Sequence, residues 1–223
     1  MSFLPQGSVY GTLLNFRREY DVLAEQMNAP PYKAPPNAPV LYVKPANTWT
    51  PHGRAIALPA GSEEVWIGAT IAVVIGLKPL VHSASDAMNH VAGYVLLNDL
   101  SLPQPNLFRP PVRYNCVDGF LGVGSDVLPA ADAGDPAAFE IEVRIDGELK
   151  QTVCFADLLR PAAQLLADVS EFMTLQPGDL LMLGCDVLGD GQRLTARAGQ
   201  RIEISAPGFA TLTNTVAAEA VTS

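Results

Sequence analysis

The residues with the clearest chemical promise are Asn98 and Asp99, because they directly follow the apolar run GYVLL. A carboxylate at the end of a buried strand costs free energy unless it is paired, hydrogen-bonded or bound to a cation. Asp99 therefore reads either as a structural turn or cap residue, a common use of Asp and Asn, or as a group that handles protons or a cation. A second concentration of polar residues lies in FRPPVRYNCVDGFLGVG, where Arg109, Arg113, Asn115 and Asp118 share a Gly/Pro-rich stretch. Arginine forks there could hold anionic oxygens, or the stretch could be only a turn-rich connection. His52 reads as a loop residue, and His82 and His90 flank a short helical stretch. None has a Cys or His partner at ligand spacing, and a surface role is expected for each. Cys116, Cys154 and Cys185 are far apart with no CxxC pair, and are expected to be buried, reduced thiols. The absence of G-x-S-x-G and of a glycine-rich phosphate loop argues against a serine hydrolase and a nucleotide enzyme.

A formal net charge of −9 makes a general attraction to nucleic acid or to an anionic membrane an unfavourable expectation. An anionic ligand would need a local group of Lys or Arg. Charged residues make up only 17% of the 223, below the roughly 25% of ordinary soluble domains, which hints at extra buried surface and subunit contacts. No basic stretch precedes an apolar one at the start, and no apolar run approaches 20 residues, so a cytoplasmic setting is expected.

The elements that must position these residues are mostly strands. VYGTLL passes through Asn15, a candidate N-cap, into a helical pattern carrying Phe16, Tyr20, Leu23 and Met27. Residues 28–39 form a Pro-dense loop leading to a short strand, VLYVKP, with Lys44 near its end. AIALP, IAVVIG and GYVLLNDLSLP follow as strands, and Asp146-Gly147 marks a hairpin inside FEIEVRIDGELKQTV. A helix is predicted over 157–175, with Leu158, Leu165, Leu166, Val169, Phe172 and Met173 on one side. LLMLG, RIEIS and TLTNTV read as closing strands. Many strands without regular βα alternation predict an α+β, strand-dominated fold. In GATIAVVIG, residues 68, 70 and 72 share one strand face, so Gly68 and Thr70 look the same way.

Taken in order, LLNFRREYDVL, YKAPPNAPVLYVKPANT, GATIAVVIG, GYVLLNDLSLP, FRPPVRYNCVDGF and SEFMTLQPGDLLMLG resemble the fumarylacetoacetate hydrolase family along almost the whole chain. YKAPP, KPANT and GAT point within it to the N-terminal half, or separate N-terminal subunit, of the bifunctional decarboxylase/isomerase of homoprotocatechuate (4-hydroxyphenylacetate) catabolism. The resemblance implies a mixed β-roll in a single domain over 1–223, with residues 1–50 as a strand-helix-loop segment packed on it. It also implies a divalent metal, Mg²⁺ or Mn²⁺, held by two glutamates one residue apart and an aspartate, a donor set that suits a hard cation. Asp99 matches the aspartate. Gly68 and Thr70 stand where the glutamates would be and supply no anionic ligand. Asn115 replaces a lysine, Gly184-Cys185-Asp186 replaces a G-T-P stretch, and Glu19 occupies roughly the place of a proton-shuttling His. Asn15, Arg17, Lys44, Asp99 and Asp118 are retained.

The function these matches imply is a subunit of a 5-oxopent-3-ene-1,2,5-tricarboxylate decarboxylase / 2-hydroxyhepta-2,4-diene-1,7-dioate isomerase with a degenerate metal site. Glu19 and Asp99 would handle protons, and Asn15, Arg17, Lys44 and Arg113 would bind the unsaturated oxo-acid. The chain would assemble with itself or with a same-family, metal-bearing subunit. A non-catalytic structural partner and an acylpyruvate-type hydrolase are the alternative readings.

Overall fold

A computed structural model of the chain describes residues 2–77, 84–104 and 112–218; His82 and Arg109 lie outside them. In chain order the strands are β1 (Val9–Leu13), β2 (Val40–Val43), β3 (Trp49–Pro51), β4 (Ala55–Leu58), β5 (Glu64–Ile75), β6 (Val91–Ser101) and β7 (Leu121–Val123). Then come β8 (Leu128–Pro129), β9 (Glu140–Ile145), β10 (Glu148–Cys154), β11 (Leu180–Met182), β12 (Leu194–Arg197), β13 (Arg201–Ser205) and β14 (Leu212–Ala218). The helices are α1 (Arg17–Asn28), α2 (Ala84–Ala87), α3 (Val112–Asn115), α4 (Ala130–Ala133) and α5 (Ala162–Ser170). The fold is α+β and strand-dominated, with a curled mixed sheet of the β-roll type.

Two sheets carry it. The larger runs β2-β1-β11-β5-β6-β7-β3, with β12 also on β5 and β8 on β6; the smaller runs β10-β9-β13-β14-β4. The antiparallel pair β5 and β6 forms the centre of the larger sheet, and alternation explains its apolar sequence. Val65, Ile67, Ala69, Ile71, Val73 and Ile75 of β5 enter a large cluster that also takes Ile141, Val143, Ile202 and Ile204 of the smaller sheet. Ala72 and Val74 face the other way, into a second cluster with Val95, Leu97, Leu121 and Met182. A strand buried on both faces needs no polar residue, so it reads as a continuous apolar run. Gly68 and Thr70 belong to the face of Ala72 and Val74, and the register sets Gly68 directly opposite Asp99. These two positions are therefore cross-strand neighbours on one face.

The hairpin forms at Asp146-Gly147, whose φ angles of 53° and 84° are the two positive values a type I′ turn demands. Other expectations need correction. Asn15 does not cap α1: Phe16 holds that position without a side-chain bond. The Asn15 amide instead donates to the carbonyls of Arg160 (3.0 Å) and Leu183 (2.8 Å) and accepts from the Arg160 N–H (3.0 Å). Of the helix predicted over 157–175, only α5 is α-helical; Pro161 sets its start, Leu158 lies before it, and Phe172, beyond its end, is exposed. Cys185 alone of the three thiols is buried; Cys116 and Cys154 are partly exposed. Part of the expected 108–124 connection is regular, forming α3 and β7.

No helix among the described residues is long and apolar enough to cross a membrane.

Candidate functional site

Asp99 is the centre of the site, and three neighbouring elements reach it. From β2, Tyr42 and the following Lys44 stand two residues apart, the period that puts them on one side of an extended chain. The Tyr42 hydroxyl donates to Asp99 Oδ2. Its ring lies across β1 at Gly11, its register partner, where an added Cβ would sit 2.0 Å from ring carbon. Glycine at 11 is thus what lets a side chain of β2 cross to β6. Lys44 is 0% exposed, and its ammonium donates to the carbonyls of Leu100 (2.6 Å), Asn115 (2.7 Å) and Phe120 (3.1 Å). With those three donors used, Asp99 Oδ1 makes a close charge contact with Nζ, 2.6 Å, rather than an aligned hydrogen bond. Burying an ammonium costs several kcal/mol, roughly, unless it is paired and hydrogen-bonded, and Lys44 is both.

The segment between β11 and β12 closes the other side. Cys185 Sγ lies 4.0 Å from Asp99 Oδ2, and Thr70 Oγ1 donates to Gly184 O at 2.5 Å. Arg193, at the end of this segment, pairs with Glu19 of α1 and donates to Cys185 O at 3.3 Å. Glu19 reaches inside because it shares the buried stripe of α1 with Leu23 and Met27, at spacings of four. Its other oxygen accepts the Leu14 N–H at 2.8 Å. Leu14 itself sits at φ 59°, a left-handed conformation that costs a non-glycine residue free energy. Beside this pair, Arg18 holds Asp186 at 3.2 Å.

The electrostatics follow from burial. Loss of water pushes the Glu19 carboxyl up, against the pull of Arg193. Burial and then the neighbouring Asp99 charge hold the Tyr42 phenol well above its ordinary range and raise the Cys185 thiol strongly. Arg193 loses water too, yet Glu19 and its other neighbours more than offset that and raise its pKa. Burial thus favours the uncharged forms of Tyr42 and Cys185, and Lys44–Asp99 and Arg193–Glu19 stand as two opposed pairs.

A cleft of ≈ 40 Å³ opens onto this arrangement, lined among others by Thr12, Tyr42, Gly68, Asp99, Cys185 and Arg193. A larger groove of ≈ 740 Å³, walled mainly by apolar side chains of α1, β2 and the loop between them, shares Tyr42 and Asn115 with it. The small cleft holds the polar groups and is the candidate site. Of the residues expected from sequence, Asp99 lines the cleft, Lys44 lies behind it and Glu19 lines the groove. Asn15 is spent on backbone, and Arg17 and Arg113 are exposed outside the cleft. Asp118 is exposed, accepting from Asn47 at 2.6 Å. Sequence reading missed Tyr42, Thr12 and Arg193. Tyr42 had a signal, its period-two spacing from Lys44, whereas Arg193 follows a Gly-rich turn with nothing local to mark it.

Residues 8–217 match the family model described as fumarylacetoacetate (FAA) hydrolase C-terminal. The chain belongs to the fumarylacetoacetate hydrolase family. It is 38% identical over 214 residues to the 4-hydroxyphenylacetate degradation bifunctional isomerase/decarboxylase of Salmonella dublin, covering 96% of this chain and 48% of that protein. A homoprotocatechuate catabolism bifunctional isomerase/decarboxylase of Escherichia coli is 36% identical with the same coverage. The chain thus spans about half the length of the curated relatives it matches. Among solved structures, the 5-carboxymethyl-2-hydroxymuconate delta-isomerase of Mycobacterium smegmatis superposes with a TM-score of 0.76 at 26% identity, covering 96% of this chain and 79% of that one.

The fumarylacetoacetate hydrolase family resemblance implies a divalent metal, and the residues present do not fit one. Among the described residues, no group of three His, Cys, Asp or Glu side chains is placed to hold an ion. Gly68 offers no ligand, and a Cβ built there would lie 2.7 Å from Cys185 Sγ and 2.8 Å from Asp99 O. Thr70 is tied to Gly184, and both Asp99 oxygens already have partners. The metal site is degenerate.

Proposed function

We propose that the chain is one unit of a 5-oxopent-3-ene-1,2,5-tricarboxylate decarboxylase / 2-hydroxyhepta-2,4-diene-1,7-dioate isomerase of 4-hydroxyphenylacetate catabolism, working beside a same-family unit with an intact metal site. The observation that carries it is the match of nearly the whole chain to about half of each bifunctional isomerase/decarboxylase. In this reading Asp99 is the acid/base group at the cleft, with the Tyr42 hydroxyl bonded to Oδ2 as its proton relay and the Lys44 ammonium against Oδ1 holding the carboxylate in place. Glu19 is the second proton-handling group, suited by the burial that raises its pKa. Lys44 and Asn15 then act by holding the site in shape, since their polar atoms are engaged by the protein. Arg17 and Arg113, exposed outside the cleft, touch substrate only if other parts of an assembly bring it to them.

A second reading is favoured by one feature: each buried cation at the site is already paired with a carboxylate. A cleft with balanced charge suits a unit that stabilises an active partner without turning substrate over.

One assay separates the readings. The purified chain is tested on the tricarboxylate and the dienedioate, alone and with a same-family, metal-bearing chain, before and after EDTA treatment. Turnover by the chain alone that survives chelation, and is lost in Asp99→Asn, supports the enzymatic reading. Turnover only in the mixture, unaffected by Asp99→Asn, supports the structural one. No turnover by the chain alone together with no effect on its partner's rate or assembly overturns both.

A further inference from the structure

An anionic oxo-acid entering the cleft needs a cation, and the structure narrows the choice to one residue. Lys44 is 0% exposed, with three carbonyls and Asp99 around its ammonium. Arg193 does line the cleft, and two of its donors are engaged, one by Glu19 and one by Cys185 O at 3.3 Å. A guanidinium has five donors in a planar fork, so it can hold a second acceptor while keeping the first.

The same cleft contains a polar group with nothing to bond. Thr12 is 2% exposed, and its hydroxyl has no partner. A buried hydroxyl left unpaired is costly, roughly 1–3 kcal/mol on mutational scales, so an orphan of this kind in a cleft that a guanidinium also lines marks a place built for something else. Gln104 Oε1, also at the cleft, is unpartnered as well. A cavity of ≈ 40 Å³ holds roughly three water-sized positions, the size of a carboxylate with its adjacent oxygen rather than of a whole diacid.

We propose that Arg193 is the carboxylate-binding residue of this cleft, gripping the carboxylate head of a 2-oxo acid together with the Thr12 hydroxyl, and that Glu19 is the internal carboxylate that competes for it. The ligand class rests on the function proposed above; the site rests on the geometry. Glu19 meets Arg193 from α1, with Asp186 and its partner Arg18 beside it, while Asp99 and Lys44 form a separate pair from β6 and β2. A ligand carboxylate must therefore share the Arg193 charge with Glu19 at close range, and removing the Glu19 charge must strengthen binding. A pair that served only to hold α1 against the β11–β12 segment would show no such gain.

Pyruvate and oxalate are the probes, titrated into the full chain by calorimetry at low salt. Glu19→Gln keeps the shape and one of the two acceptor oxygens that Arg193 and the Leu14 N–H use, and is expected to tighten binding about tenfold, the effect of removing one nearby competing charge. Glu19→Gln/Arg193→Gln leaves no buried unpaired charge, is expected to melt cooperatively like the parent, and should show no binding. Thr12→Val should weaken binding several-fold without loss of fold. Unchanged or weaker binding in a folded Glu19→Gln protein, or full binding in the double variant, overturns the assignment. The heat signal does not depend on turnover. Binding that follows this pattern in a chain with no effect on substrate or partner leaves the assignment standing and removes the proposed function. Unchanged pyruvate binding in a folded Glu19→Gln protein, beside parent turnover that Asp99→Asn abolishes, does the reverse.

Discussion

Lys44 and Asp99 show how a charge can sit at the centre of a strand-built interior. Removing the ammonium alone, as in Lys44→Met, strands the Asp99 carboxylate and three carbonyls, and should cost about 3–5 kcal/mol in urea unfolding, the range for a broken buried pair. Tyr42→Phe removes one charge-assisted bond and keeps the ring, so a loss of about 1.5–3 kcal/mol is expected by the same measurement. Glu19 gives a pH prediction. Its folded pKa is raised, so the native state binds more protons than the unfolded one above the ordinary carboxylate pKa. Its contribution to stability is then full below that pKa and is lost as pH rises through the raised value. Thermal melts from acid towards neutral pH should show this decline in the parent, and Glu19→Gln should flatten it. A slope unchanged by the substitution would assign the decline to other groups.

Among the elements, the crossing of β2 over β1 is decisive. β1 lies between β2 and β11, and its Gly11 is the notch through which Tyr42 passes to Asp99. Gly11→Ala places a methyl inside the ring's volume and should both unseat Tyr42 and cost about 1–3 kcal/mol or more through overpacking. Its near-ultraviolet circular dichroism should change, whereas that of Gly189→Ala, at a position with open space around the Cβ direction and no positive φ, should not. The segment between β11 and β12 has a comparable role: it brings Cys185 against Gly68 and Arg193 against Glu19. α1 contributes Glu19 from the same face as Leu23 and Met27, so the helix that buries an apolar stripe also delivers a carboxylate.

At the level of the whole molecule, the two sheets share one large apolar cluster, and the cleft lies on the opposite face of the central strands. Because the residues there do not fit a divalent cation, Mn²⁺ or Mg²⁺ at millimolar concentration, or EDTA, should leave the melting temperature unchanged; a resident ion would stabilise by mass action and raise it. Much of this organisation is legible in the sequence. The apolar runs of β5 and β6, the Asp146-Gly147 turn and the placement of Asp99 after GYVLL follow from local rules, because strand periodicity and turn chemistry act over a few residues. Gly68 and Thr70 are likewise visible as positions with no carboxylate to give. What surrounds them depended on contacts between distant segments. Asn15 gave up a local capping role for carbonyls 145 and 168 residues away, Tyr42 reached Asp99 across 57 residues, and Arg193 met Glu19 across 174. Sequence alone determined the strand-rich architecture and the missing glutamates. Tertiary structure decided that Lys44 is spent on Asp99 and that Arg193 faces the cleft, because pairing of buried charges is set by which strands and loops converge, and no local pattern encodes that convergence.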